Sequence, residues 1–202
     1  MMKKQDNELD QNGYSIIKGT SIEAFSEYVL CFGEVINTTE VKVKENPKAF
    51  VTSSKAIPFH TDHHAADYVA WFCREQASVG GETMLIDTTK ILYQYSVDEL
   101  EELKGIHFTE HTLFEGDVGS CPLLDMSFKN KWKIYYSFEL HGNPKTHNPT
   151  LRKLENDISN LTAITIRLMP GDALIIDNRR MLHGRSQIQG NKHRHLTRYW
   201  IK

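Results

Sequence analysis

The sequence predicts a mainly β protein, a β-sandwich or jelly roll with a few helices outside it. Short runs of strand composition recur along the chain: Gly13 to Ile17, Tyr68 to Cys73, Glu82 to Asp87, Trp132 to Tyr136, Ala163 to Leu168, Ala173 to Asp177 and His195 to Ile201. Turn signals separate them, among them Gly80-Gly81 and Pro170-Gly171-Asp172. No internal repeat, low-complexity tract or linker breaks the series, which suits two packed sheets rather than a string of units. A chain of 202 residues is enough for one domain with a core of its own.

The elements follow in order. Residues 1–12 are polar and read as a flexible end, with the domain running from 13 to 202. Gly13 to Ile17 is a first short strand. Thr20 or Ser21 caps a helix that carries Ile22, Phe25, Val29 and Leu30 on one face and ends near Gly33. Residues 37–57 have no clear period. Pro58 argues against a helix at Phe59-His60. Residues 88–104 read as one helix with Leu92, Val97, Leu100 and Leu103 as its apolar set. Asn148-Pro149 starts a second helix, and Leu151, Leu154, Ile158 and Leu161 keep helical spacing. Three strands close the chain.

Composition removes several function classes. A net charge of −2 gives no electrostatic case for nucleic acid or an anionic membrane surface. The first eight residues have no apolar core of a signal peptide, and no stretch is long and apolar enough for a bilayer. Cys31, Cys73 and Cys121 share no metal-type spacing and read as reduced thiols of a cytoplasmic protein.

The chemistry is expected at His60-Thr61-Asp62 and His183. A His and an Asp two positions apart on extended backbone share a face. A distant imidazole then completes a three-ligand face on a metal and leaves the other positions open, as in non-haem Fe(II) oxygenases. His183 follows the strand ending at Asp177, on a strand end or the loop beyond it. Arg194 and Arg198 are four apart, so they share one strand face with Leu196. Their guanidiniums suit carboxylates, although a solvated basic edge strand has the same pattern.

These segments together resemble a family, the Fe(II)/2-oxoglutarate-dependent dioxygenases of the taurine dioxygenase (TauD/TfdA) type, including the clavaminate-synthase-like branch. Phe59-His60-Thr61-Asp62, Gly80-Gly81-Glu82-Thr83, the run from Pro170 to Arg185, and Arg194 to Trp200 occur in the family's order. The resemblance implies a double-stranded β-helix (jelly roll, cupin-like). It implies His60, Asp62 and His183 as iron ligands, with Thr83 and Arg194 on the far carboxylate of 2-oxoglutarate. Arg198 matches a position that meets an acidic group on the substrate in several members. The cofactors implied are Fe(II), 2-oxoglutarate as co-substrate, and O2. The default reaction is hydroxylation of a C–H bond of a small polar metabolite such as an amino acid, free or carrier-bound, with release of succinate and CO2. Desaturation, cyclisation and epoxidation belong to the same chemistry. Asp62 argues against halogenation, whose enzymes lack that carboxylate. The chain is short for the family, so a carrier protein or a second copy of the chain is expected to complete the walls.

Two other readings fit parts of the pattern. A non-catalytic binding module keeps the fold but has no need of an intact ligand set. A zinc-type hydrolase uses the same ligands and leaves Arg194 and Thr83 unexplained. His63 and His64 read as rim residues, His195 as structural, and Tyr135, Tyr136 and Trp200 as core. Asp177 and Asn178 read either as a turn or as groups that orient the site.

Overall fold

A computed structural model of the chain describes residues 2–47, 49–109, 119–128, 131–137, 148–191 and 193–202. The elements run α1 (Met2–Asn12), β1 (Tyr14–Ile17), α2 (Ile22–Val29), β2 (Val35–Lys42), a 3-10 turn (Phe50–Thr52), β3 (Ile57–His60), β4 (Tyr68–Glu75), β5 (Val79–Gly80) and β6 (Thr83–Asp87). They continue with α3 (Thr89–Leu92), α4 (Val97–Lys104), β7 (His107–Thr109), β8 (Ser120–Pro122), β9 (Leu124–Phe128), β10 (Lys131–Ile134) and α5 (Pro149–Asn160). The last strands are β11 (Ile164–Ile166), β12 (Ala173–Asp177), β13 (Met181–Arg185), β14 (Ile188–Gln189) and β15 (His195–Ile201).

Two antiparallel sheets carry the fold. One has the order β1-β12-β4-β15-β2, the other β11-β6-β13-β3. Strand alternation explains how each is buried. In β4, Val69, Trp71 and Cys73 face the core between the sheets, while Ala70 and Phe72 face Phe25, Tyr28 and Val29 of α2. β12 divides in the same way, Leu174 and Ile176 inward, Ala173 and Ile175 toward α2. Both faces of the larger sheet are thus covered, which is why Tyr68 to Cys73 is apolar without a gap. In the smaller sheet Leu85 faces the inter-sheet core, and Ile86 and Leu182 pack with Leu103, Leu151, Leu154 and Ile158 of α4 and α5. β11 lies in the smaller sheet and β12 in the larger, so Pro170-Gly171-Asp172 carries the chain from one sheet to the other. The result is the double-stranded β-helix that the resemblance implies.

Several local expectations change. Residues 2–12, expected to be flexible, form α1. Leu9 is its buried anchor, and Gly13, at φ +77°, closes it with an N–H donated to the Leu9 carbonyl at 2.8 Å. One apolar anchor makes no periodic stripe, so sequence pattern does not show this helix. The helix expected over 88–104 is two, because Ser96 and Glu99 form a capping box that starts α4 afresh. Val97 and Leu30, placed on apolar faces by spacing, are 75% and 61% exposed. Ser21 caps α2 as expected. Pro58 sits in β3, the outermost strand of its sheet, where a missing N–H is tolerated. Among the described residues no helix is long and apolar enough to cross a membrane.

Candidate active site

The smaller sheet brings the two His residues together. His60 ends β3 and His183 lies in β13, and they are direct cross-strand partners. Their rings are 4.3 Å apart, centroid to centroid. Gly184 makes this register possible: a Cβ there would lie 2.7 Å from the Ile57 carbonyl oxygen. Asp62 follows two residues after the end of β3. Its Oδ1 is 3.9 Å from His60 Nε2 and 3.7 Å from His183 Nε2. One donor atom from each of the three residues lies within 4.8 Å of the others, a group able to hold a metal ion.

The protonation states suit ligation. His60 Nδ1 lies 2.9 Å from the Pro58 carbonyl, which only accepts, so the proton belongs on Nδ1 and the lone pair on Nε2. Burial, then repulsion from His183, pushes the His60 pKa down to about 4, against the pull of Asp62. The imidazole is therefore neutral near neutral pH. Burial drives the Asp62 pKa up, but the Arg198 charge and the His183 contact outweigh it and hold the carboxyl well below the usual range.

Other residues fix the ligand loop. Asn178 is buried. Its Oδ1 accepts from Asp62 N at 2.8 Å, and its Nδ2 donates to the carbonyls of Asp62, His63 and Ala66 at 3.4, 3.3 and 2.9 Å. This favours the orienting role over a simple turn. Thr61 is clamped to Tyr136, whose carbonyl accepts from Thr61 N at 2.8 Å and whose N–H reaches Thr61 Oγ1 at 3.0 Å.

A cavity of about 270 Å³ opens beside these ligands. Thr83, Arg185, Arg194 and Arg198 line it with Val41, Phe50, Val51, Trp71, Tyr135, Leu196 and Trp200. Arg194 is 6% exposed, and its Nε donates to the Gly81 carbonyl at 3.1 Å. Among the described residues it has no carboxylate partner. Burial, with the Arg185 charge nearby, pushes its pKa down to about 9. A buried cation without a counter-ion is costly, and an incoming carboxylate would relieve that cost. Thr83, also buried, lines the same cavity. The donor set and this cationic end therefore fit a metal and a dicarboxylate such as 2-oxoglutarate.

Arg198, expected to face a substrate acid, lies on Asp62, with Nη1 at 3.0 and 3.1 Å from its two oxygens. Trp200, read as core, donates its indole N–H to Asp62 Oδ2 at 2.8 Å. Only its strand face was legible: Trp200 keeps the parity of Leu196 and Arg198 along β15. His63, read as a rim residue, is buried and stacks on Trp200. Arg185 also escaped the sequence reading. It donates to the carbonyls of Val51, Ser53 and Lys55 and so anchors the segment that walls the cavity. His195 turns outward to Glu40, as expected.

The sequence matches the profile of the Taurine catabolism dioxygenase TauD, TfdA family over residues 3–156 and 150–200. The chain belongs to this family. As a TauD/TfdA member it is a 2-oxoglutarate-dependent dioxygenase. It is 26% identical to 3-((Z)-2-isocyanoethenyl)-1H-indole synthase of Fischerella ambigua (strain UTEX 1903), over 92% of this chain and 81% of that one. Solved structures share the fold. Asparagine oxygenase superposes with a TM-score of 0.74 at 16% identity, over 99% of this chain and 77% of its own. The non-heme iron oxygenase OrfP, in complex with Fe, succinate and (3S)-hydroxy-L-Arg, gives 0.76 at 16% identity, over 100% and 80%. PvcB, an Fe, alpha-ketoglutarate dependent oxygenase from an isonitrile synthetic pathway, gives 0.70 at 19% identity, over 100% and 80%.

Proposed function

We propose that this TauD/TfdA-family enzyme oxidises a C–H bond of a small polar metabolite, an amino acid or a derivative of one, free or carrier-bound. Hydroxylation is the default outcome. His60, Asp62 and His183 would hold Fe(II), and Arg194 with Thr83 the far carboxylate of 2-oxoglutarate. The observation that carries this reading is the pairing of the three-residue donor set with a buried Arg194 that has no carboxylate partner among the described residues, both lining one cavity. The amino-acid class is supported by what the relatives act on: OrfP is described with a hydroxylated arginine and asparagine oxygenase with 3-hydroxyasparagine.

When bound, iron and 2-oxoglutarate supply the oxidation: dioxygen gives one oxygen atom to the substrate and one to succinate, with loss of CO2. The chain's own residues bind and orient. Arg194 offers a planar fork to the carboxylate. Trp71 and Leu196 line the cavity and would shield the reacting C–H bond from water. An acidic group on the substrate would have to share Arg198 with Asp62. A hydrolase of the same fold would leave Arg194 without a task.

The deciding experiment is an anaerobic titration of metal-free protein with Fe(II) and 2-oxoglutarate, followed by the weak visible charge-transfer band of the chelate. The band is expected in wild type and absent in His183→Ala. Well-folded wild type that binds no iron and gives no band would overturn the assignment. Succinate release then screens amino acids and their derivatives.

A further inference from the structure

Asp62 is held from outside the donor set, and its two oxygens are held differently. Oδ1 faces both imidazoles, at 3.9 and 3.7 Å from their Nε2 atoms. Oδ2 receives the Trp200 indole N–H at 2.8 Å. Arg198 Nη1 spans the two, at 3.0 and 3.1 Å. Trp200 is itself held by two ring contacts. The Arg198 guanidinium lies 4.8 Å above its ring centroid, and His63 stacks on it at 5.5 Å with 25° between the planes. Only 7% of Trp200 is exposed, so the indole cannot follow a carboxylate that turns.

We propose that Trp200, with Arg198, is a positioning residue that commits Asp62 to ligate through Oδ1 alone. The proposal rests on the metal site assigned above. A facial set of three single-atom donors leaves three of six positions on an octahedral metal. A chelating keto acid would take two of these and leave one. A carboxylate that swung round to bind through both oxygens would fill that last position. The indole N–H on Oδ2, backed by the Arg198 charge, opposes that rotation. Sequence alone does not reveal this, because the donor and its acceptor are 138 residues apart.

The test compares full-length wild type, Trp200→Phe and Asp62→Ala. Phe keeps the ring stack and removes the N–H. Metal-free protein is titrated anaerobically with Fe(II) against a competing chelator. The Co(II)-loaded forms are compared by visible absorption, which reports coordination number. Trp200→Phe is expected to bind Fe(II) roughly 10- to 100-fold more weakly and to change the Co(II) spectrum, while its metal-free melting curve stays near that of wild type. If Trp200→Phe does not fold, Arg198→Lys decides. It keeps the charge but loses the planar guanidinium that stacks on the indole and holds it against Asp62, and the same change in spectrum is expected. Wild-type affinity and spectrum in the folded variant, with metal binding lost in Asp62→Ala, would overturn the proposal and leave the metal site standing. Undiminished binding in Asp62→Ala would overturn both.

Discussion

Arg194 shows what a single side chain costs and supplies. Its guanidinium is buried, bonded through Nε to the Gly81 carbonyl, and pushed toward neutrality by its surroundings. Gly81 sits at φ +77°, and a Cβ there would lie 3.0 Å from Arg194 Cδ, so the tight approach of the two is built in. Lysine at 194 keeps a charge but loses the fork that meets a carboxylate with two parallel bonds. A hydrogen bond to a charged group contributes about 1.5–3 kcal/mol, roughly a ten- to hundredfold change in affinity. Arg194→Lys is therefore expected to raise the KM for 2-oxoglutarate by at least about tenfold while Fe(II) binding is unchanged, measured by succinate formation and by metal titration. At this scale the sequence was informative where chemistry restricts the residue type. His60, Asp62, His183, Thr83 and Arg194 all line one cavity. It was silent on partners. Nothing in Arg198 or Trp200 as letters says that both turn to Asp62, since that depends on which strand lies opposite which.

The turn between β12 and β13 is the element on which the site hangs. One Asn178 amide makes four hydrogen bonds to the backbone of residues 62–66. Alanine there leaves buried peptide groups without partners, each costing about 1–3 kcal/mol. Asn178→Ala is expected to lower stability by at least about 2 kcal/mol, seen as a lower urea midpoint at unchanged slope, and to weaken Fe(II) binding along with it. Elements were legible where one face is apolar at a regular period. α5 repeats Leu151, Leu154 and Ile158, and β12 is the run Ala173 to Asp177. They were illegible where a single contact decides. α1 depends on Leu9, and the break before α4 on two reciprocal hydrogen bonds between Ser96 and Glu99. β13 was read only as a strand end or the loop beyond it, because Met181 to Arg185 is buried throughout and shows no alternation.

Across the whole molecule, proton binding couples the site to stability. In the unfolded chain His60 takes up a proton near 6.5, in the folded chain near 4. Between those values the unfolded state binds more protons, so metal-free protein loses stability as pH falls through that window. Asp62, Asp87 and Asp172 are held below the usual carboxylate range, by Arg198, Arg180 and Lys18 respectively, against the upward push of burial. Their contribution disappears at still lower pH. The melting temperature of metal-free protein is expected to fall from about pH 6.5 downward and more steeply below about pH 4, and His60→Gln should flatten the upper part of that curve. The two-sheet architecture was legible because turns and strands alternate so regularly. The order of strands was not, because pairing partners are set by packing over long separations. That order has a further effect. His60 belongs to β3, the outermost strand of its sheet, and its partner His183 to the strand inside it. A metal gripped by both would be a rivet through the hem of the sheet. Loss of such a metal would then cost more than chemistry: it would loosen a seam whose bare edge is the kind that recruits other chains.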